Sequence, residues 1–244
     1  MTEKIPNLEQ APGPLELIKV LGVVSTICGL LIVVAYQSTL SSLIANRQKA
    51  RETAVLQVVP GATSYVEYAL GAEGATAILG GATHPENTHS AFVGYNANGE
   101  LAGIALEAGA QGYSDIVGIL YNYSPTCECI TGFSVLESRE TPGLGDKIVK
   151  DVAFLANFQN PGLDAKVNSD KTALANVIET VKHGTKTHPW QIDAISGATI
   201  TSRAVGKGMN QSAQMMLPLI AKNLETLKVK PEVKNEPAKI EEVK

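Results

Sequence analysis

Between Lys19 and Arg47 the chain carries no charged side chain. The apolar heart of this stretch, Val20 to Tyr36, reads VLGVVSTICGLLIVVAY. As a helix rising 1.5 Å per residue it spans about 25 Å, slightly less than a hydrocarbon core of about 30 Å. Leu15, Leu17 and Ile18, with the Lys19 ammonium reaching back toward the headgroups, complete the span. Pro12 and Pro14 suit a helix start, and Tyr36 suits an interfacial ring. A buried core helix is amphipathic, whereas this segment is apolar all round. A cleaved signal peptide begins with a basic stretch and a short apolar core. Here the opening residues instead mix Glu3, Lys4, Glu9, Glu16 and Lys19. The segment reads as one retained transmembrane helix with its exit (15–46), behind a short N-terminal tail (1–14). Arg47, Lys49 and Arg51 follow it and only Lys4 and Lys19 precede it. By that count alone the following domain stays on the cytoplasmic side.

An anchor of this size in 244 residues leaves room for one sizeable domain, 47–225, and a charged tail, 226–244. The closing segment KVKPEVKNEPAKIEEVK is too polar to bury a core. With 20 Lys and Arg against 24 Asp and Glu, the net charge of −4 argues against broad nucleic-acid binding. Three cysteines are too few for a disulfide scaffold.

Within the domain, the Ala, Val and Leu pattern from about Thr53 to Leu79 reads as helix, broken at Pro60-Gly61 and Gly71. Two related stretches follow. Phe92 to Asp115 reads as two strands around an Asn98-Gly99 turn, and Val117 to Asp146 as a second hairpin leaving into a Gly-rich loop. Both carry Tyr-Asn in the first strand and a late glutamate, Glu107 and Glu137. Asp170 to Lys182 reads as helix, a short strand leads into Trp190, and a final helix starts near Gly197 with Pro218 as its kink or break. The fold class is therefore α+β: an antiparallel meander with flanking helices behind a single membrane helix.

Two motifs bear on chemistry. Asp193-Ala-Ile-Ser-Gly-Ala-Thr199-Ile-Thr201-Ser202 is a turn opening an amphipathic helix, where free amides and the helix dipole favour a phosphate. The same residues also suit an ordinary start capped by Ser196 or Asp193. Glu140-Thr-Pro-Gly-Leu-Gly-Asp146 joins a Pro142-Gly143 turn to Gly145, which admits a flat ligand; it also suits a plain hairpin exit. It lacks dinucleotide-fingerprint spacing.

In this order, about 50 residues apart, the motifs resemble the FMN-binding domain of the G subunit of Rnf electron-transport complexes. The C subunit of the sodium-pumping NADH:quinone reductase is similar. The likeness runs from Leu15 to Leu219 through the apolar helix, GYSD, ETPGLGDKI and DAISGATITSRAV. It implies FMN held as a phosphoester on the threonine closing Ser-Gly-Ala-Thr, here Thr199, with Asp193, Ser196, Gly197 and Ala198 matching the rest of the motif. A separate flavin transferase, using FAD and Mg2+, makes that attachment in the family. Thr201 competes as acceptor and lies outside the motif's closing position. The ring is expected against the loop of Glu140, Thr141, Pro142, Gly143, Leu144 and Gly145. Glu140 and Thr141 could bond to the ring or the ribityl chain, and Leu144 or Trp190 could supply apolar contact.

The role implied is an electron carrier that is not catalytic alone. It relays electrons between ferredoxin and NAD within a membrane complex that translocates Na+ or H+, beside other membrane and peripheral subunits and lipid. The resemblance also implies the cytoplasmic (inner) membrane and a flavin domain facing outward, against the charge count. Alternatives are the quinone-reductase C subunit and a membrane-anchored binding module without flavin.

Cys127-Glu-Cys129 departs from the family pattern. Strand alternation would set the two thiols on opposite faces, and no second pair completes a metal site. A free or reversibly oxidised pair is expected. His84, His89, His183 and His188 lack metal spacing, so no metal is assigned.

Overall fold

The computed structural model describes residues 13–78, 85–159 and 161–231, with 47 and 48 as backbone alone. The N-terminal tail through residue 12, His84 and the charged tail from residue 232 lie outside the described residues. Two units divide between Lys49 and Ala50.

The first unit is helix α1 (Pro14–Val58) as far as Lys49. Every Leu, Ile and Val side chain from Leu15 to Val34 is more than half exposed. Length and composition suffice to cross a membrane. The hydroxyls of Ser25 and Thr26 donate to the carbonyls of Leu21 and Gly22 at 2.7 and 2.8 Å, so the helix satisfies its own polar groups.

The helix is longer than the expected 15–46. Ala54, Val55 and Val58 are buried in the second unit, and α1 stops only where Pro60 and Gly61, at φ +79°, cannot continue it. Of the helix expected over 53–79, the described residues, to 78, are helical only as far as Val58. Strands β1 (Ser64–Gly71) and β2 (Gly74–Ile78) replace the rest as a hairpin. Val66, Tyr68 and Leu70 point to one core at a spacing of two, a strand period that the surrounding Ala and Gly obscure.

Next come β3 (His89–Tyr95), β4 (Leu101–Gln111), β5 (Ile116–Ser124) and β6 (Cys129–Glu137), as the paired hairpins predict, and then a short β7 (Leu163–Asp164). The antiparallel sheet runs β2-β1-β3-β4-β5-β6-β7. The Tyr-Asn echo is only partial. Asn96 accepts the amides of Asn98 and Glu100 and closes the β3–β4 turn, whereas Asn122 is buried within β5.

Both faces of this sheet are covered. Phe92, Ala105 and Leu120 pack with Ala54, Val55, Val58 and Val59 on one side. On the other, Val93, Ile104, Leu106, Ile119 and Tyr121 meet helix α3 (Thr199–Lys228) through Val205, Met209, Ala213 and Leu217. The Tyr121 hydroxyl donates to Ser212 Oγ at 3.0 Å, and Ser212 donates to the Glu107 carbonyl at 2.9 Å, fixing α3 across the sheet.

No helix forms over 170–182. The Asn168 side chain accepts the amides of Thr172 and Ala173 and holds a turn with Lys171 at φ +52°. A parallel pair follows, β8 (Glu179–Val181) with β9 (Gln191–Asp193), so the strand leaves Trp190 rather than leading into it. Helix α3 begins near Gly197 as expected and passes through Pro218 to Lys228. Leu227 is buried, so the helix reaches past the tail boundary expected at 226. Between β6 and β8 lies a short helix, α2 (Val152–Leu155), capped by Asp151.

Candidate functional site

Three loops meet at one buried carboxylate. Glu140, 8% exposed, accepts the Ser114 amide at 2.8 Å, the Asp115 amide at 3.5 Å and the Thr201 hydroxyl at 2.5 Å. It therefore joins the GYSD turn, its own ETPGLG loop and the first turn of α3. Gly145 packs on the same side chain, and a Cβ there would collide with Glu140 Cβ, a clash only glycine avoids. Burial pushes the Glu140 carboxyl up. The Thr201 hydroxyl and the amides of Ser114, Tyr113 and Asp115 together outweigh it and hold the group below its ordinary value near 4.5. Glu140 was expected as a partner of the flavin ring or ribityl chain; its carboxylate accepts the protein's own donors from Ser114, Asp115 and Thr201.

A depressed folded value means that ionised Glu140 stabilises the fold above its unfolded pKa, and that this contribution is lost as pH falls through the folded value. Denaturation midpoints of the unmodified domain should therefore drop as pH falls below the ordinary carboxyl value near 4.5. A Glu140→Gln variant should start lower and show a shallower drop. Parallel pH curves for the two proteins would remove Glu140 from the acid transition.

Thr141, Pro142, Gly143 and Leu144 are exposed. The Thr141 carbonyl accepts the amides of Leu144 and Gly145. Asp146 accepts the Gly143 amide at 2.6 Å while Lys150 donates to its other oxygen at 2.6 Å, which lowers the Asp146 carboxyl. The loop is thus a braced turn that presents Leu144, half exposed. Trp190 stacks on His188 with ring centroids 4.4 Å apart.

At the second motif, the Ala198 amide donates to the Ile195 carbonyl. Gly197 sits at φ +82°, as the third position of such a turn requires. Ser196 and Gly197 are exposed. Ser202 is buried and secures the turn: its hydroxyl donates to the Ala198 carbonyl at 3.0 Å and accepts the Ile195 amide at 3.1 Å. The N-cap is Ala198, which offers no side-chain acceptor. Neither Ser196 nor Asp193 caps the helix, contrary to that expectation. Asp193 belongs to β9 and accepts the Gly184 amide at 2.7 Å, with His183 Nδ1 at 3.5 Å.

The two threonines therefore differ. Thr201 is 3% exposed and committed to Glu140. Thr199 is half-buried at the open helix start, with its Oγ1 3.4 Å from the Ile195 carbonyl, a weak contact. An uncapped helix start leaves amides to meet a phosphate, and a reachable hydroxyl lies among them. At Ile195 and Ser196 of the preceding turn, a cavity of about 300 Å³ is also lined by Lys147, Lys150, His183 and Asp193. The lysines and His183 had no part in the expected site, although Lys147 follows the ETPGLG loop by two residues; no local signal turns these side chains toward the α3 start. This donor set fits a phosphate-bearing cofactor. Among the described residues, no group of His, Cys, Asp and Glu is arranged to hold a metal.

The Cys127-Glu-Cys129 pair forms a disulfide. The expectation of thiols on opposite strand faces fails because β6 begins only at Cys129, and Cys127 and Glu128 belong to the preceding turn, with Glu128 at φ +51°.

The sequence profile of the FMN-binding domain family matches residues 112–214, from the GYSD turn into α3. The chain is 36% identical over 136 residues to the G subunit of the Na(+)-translocating ferredoxin:NAD(+) oxidoreductase complex of Acetobacterium woodii, covering 55% of this chain and 58% of that one. It thus spans little more than half the length of that relative. To the G subunit of the ion-translocating oxidoreductase complex of Methanosarcina acetivorans it is 28% identical over 183 residues, 75% of this chain and 84% of that one. The crystal structure of NqrC from Shewanella oneidensis superimposes with a TM-score of 0.57 at 18% identity, covering 75% of this chain and 99% of that one. That likeness establishes a shared fold.

Proposed function

We propose, from the premise that residues 112–214 form an FMN-binding domain, that this chain is the G-type, electron-carrying subunit of an Rnf-type membrane complex. FMN is joined through its phosphate to Thr199. The observation that carries this reading is a half-exposed threonine hydroxyl at an uncapped helix start, inside the matched domain. The flavin supplies one- and two-electron transfer; the chain supplies attachment, orientation and shielding. Amides at the α3 start receive the phosphate, Lys147 and Lys150 add positive charge nearby, and Glu140 holds the ring-facing loop in register with Thr199. Attachment is the work of a separate flavin transferase. Electrons pass between ferredoxin and NAD through the other subunits, coupled to Na+ or H+ movement.

Helix α1 serves as a single-pass anchor in the cytoplasmic membrane. The disulfide supports an outward-facing domain, since such bonds persist in oxidising compartments, and it counts against the one-residue charge excess. The site features also favour a flavin carrier over a flavin-free binding module, which has no use for a half-buried acceptor threonine at an open helix start.

Truncation tests the division into anchor and domain. Deleting residues 1–46 should give a soluble domain that still accepts FMN from an active transferase. Deleting 1–58 removes Ala54, Val55 and Val58 from the core and should cost several kcal/mol, with each lost aliphatic contact worth about 1–3 kcal/mol. A folded 1–46 deletion that takes no flavin would break this division.

A further inference from the structure

We propose that Cys127 and Cys129 form a thiol–disulfide exchange site that is reduced by an external dithiol, and that Cys127 is the sulfur attacked. A bridge spanning a single residue closes almost no chain, so its loop entropy contributes little to stability. The turn does not need it either, because the β5–β6 ladder continues to the Ser124–Cys129 pair. Holding the bridge leaves Glu128, a non-glycine residue, at φ +51°. The two sulfurs are also unequal: Cys127 is exposed and Cys129 is 4% exposed.

The surroundings are ready for the reduced state. Cys129 Sγ lies 3.0 Å from the Pro161 carbonyl oxygen and Cys127 Sγ lies 3.7 Å from that of Ser124. In the bridged form neither sulfur carries a proton for these acceptors. After reduction each thiol has a carbonyl already in place.

The exchange balances. A thiolate of the external dithiol attacks Cys127 Sγ, the S–S bond breaks, and Cys129 leaves as a thiolate that takes a proton beside the Pro161 carbonyl. The dithiol's second thiolate then attacks its own sulfur in the mixed disulfide and releases Cys127. Two electrons have moved from the dithiol, now a disulfide, to the cysteine pair. The site stands apart from the flavin loops. The GYSD turn and the cysteine turn lie at opposite ends of β5, whose nine residues span about 30 Å. The exchange partner is therefore a soluble dithiol or a dithiol protein, and the site operates with or without bound flavin.

The test uses the full chain in detergent, carrying Cys28→Ser so that the pair is the only source of thiols, with dithiothreitol as the probe. Under native conditions reduction should expose two thiols, the oxidised reagent should restore the bridge, and the thermal midpoint should stay nearly constant. A Cys129→Ser variant should form a mixed disulfide with an aromatic disulfide reagent at least about 10-fold faster than Cys127→Ser, following thiol exposure. A bridge that opens only on unfolding, or a faster reaction at Cys129, would overturn the proposal. Thiol counts in urea keep the result readable for a variant that folds poorly.

Discussion

Replacing Thr199 with alanine should leave a folded chain that carries no covalently bound flavin. The Thr199 hydroxyl makes one long contact, 3.4 Å to the Ile195 carbonyl, so its removal costs the fold little. Ser202 still secures the turn through Ile195 and Ala198. What disappears is the hydroxyl to which the proposed phosphoester is assigned. Thr201→Ala should behave in the opposite way. It deletes a buried hydroxyl bonded to Glu140, so stability should fall by about 1–2 kcal/mol while flavin attachment persists. Serine at 199 keeps an oxygen and should restore attachment. A denatured, washed sample examined for flavin fluorescence separates these variants, with thermal melts run in parallel. A Thr199→Ala protein that retained the fluorescent band would move the attachment elsewhere, with Thr201 first in line.

Glu140→Ala should produce the largest loss of stability among the site variants, about 2–4 kcal/mol. The substitution strands the buried Thr201 hydroxyl, removes the acceptor of the Ser114 and Asp115 amides and opens a space against Gly145. Glutamine should recover part of the loss, because its amide oxygen accepts from Ser114 while its amide nitrogen meets Thr201. Both variants should also slow flavinylation, since the clamp sets the distance between the loop presenting Leu144 and the helix start presenting Thr199. Chemical denaturation measures the first effect, and a time course with flavin transferase measures the second. A Glu140→Ala domain as stable as the unmodified one would show that the three loops hold together without the carboxylate.

Much of this arrangement is legible in the chain's local signals. The apolar run to Tyr36, the hairpins over 92–137 and the α3 start each follow from such a signal: absence of charge, period-two alternation with Asn98-Gly99, and a Gly-Ser-Thr turn before an amphipathic stretch. Thr199 stands out by resemblance to a family motif, and the geometry separates it from Thr201 on exposure. Long-range pairing is not legible in this way. Glu140 meets Thr201 across 61 residues, so the glutamate looks like a ligand group as long as its neighbours are unknown. Local propensity also misleads where tertiary contacts override it. Residues 64–78 are rich in Ala and Gly yet pair as strands because Val66, Tyr68 and Leu70 join the core. The 170–182 segment has helix-forming residues, but the Asn168 side chain captures the amides a helix would use. The cysteine pair is misplaced for a similar reason, since a turn in place of a strand lets two thiols separated by a single residue meet.

The central claim is that Thr199 carries the flavin. Its most direct test is mass spectrometry of peptides from the full chain co-expressed with an active flavin transferase. The peptide spanning the α3 start should carry the mass of FMN joined with loss of water, fragmentation should place that mass on Thr199, and the Thr199→Ala peptide should lack it. An unmodified Thr199 in a chain whose transferase is demonstrably active, or the same mass located on another residue, would contradict the account.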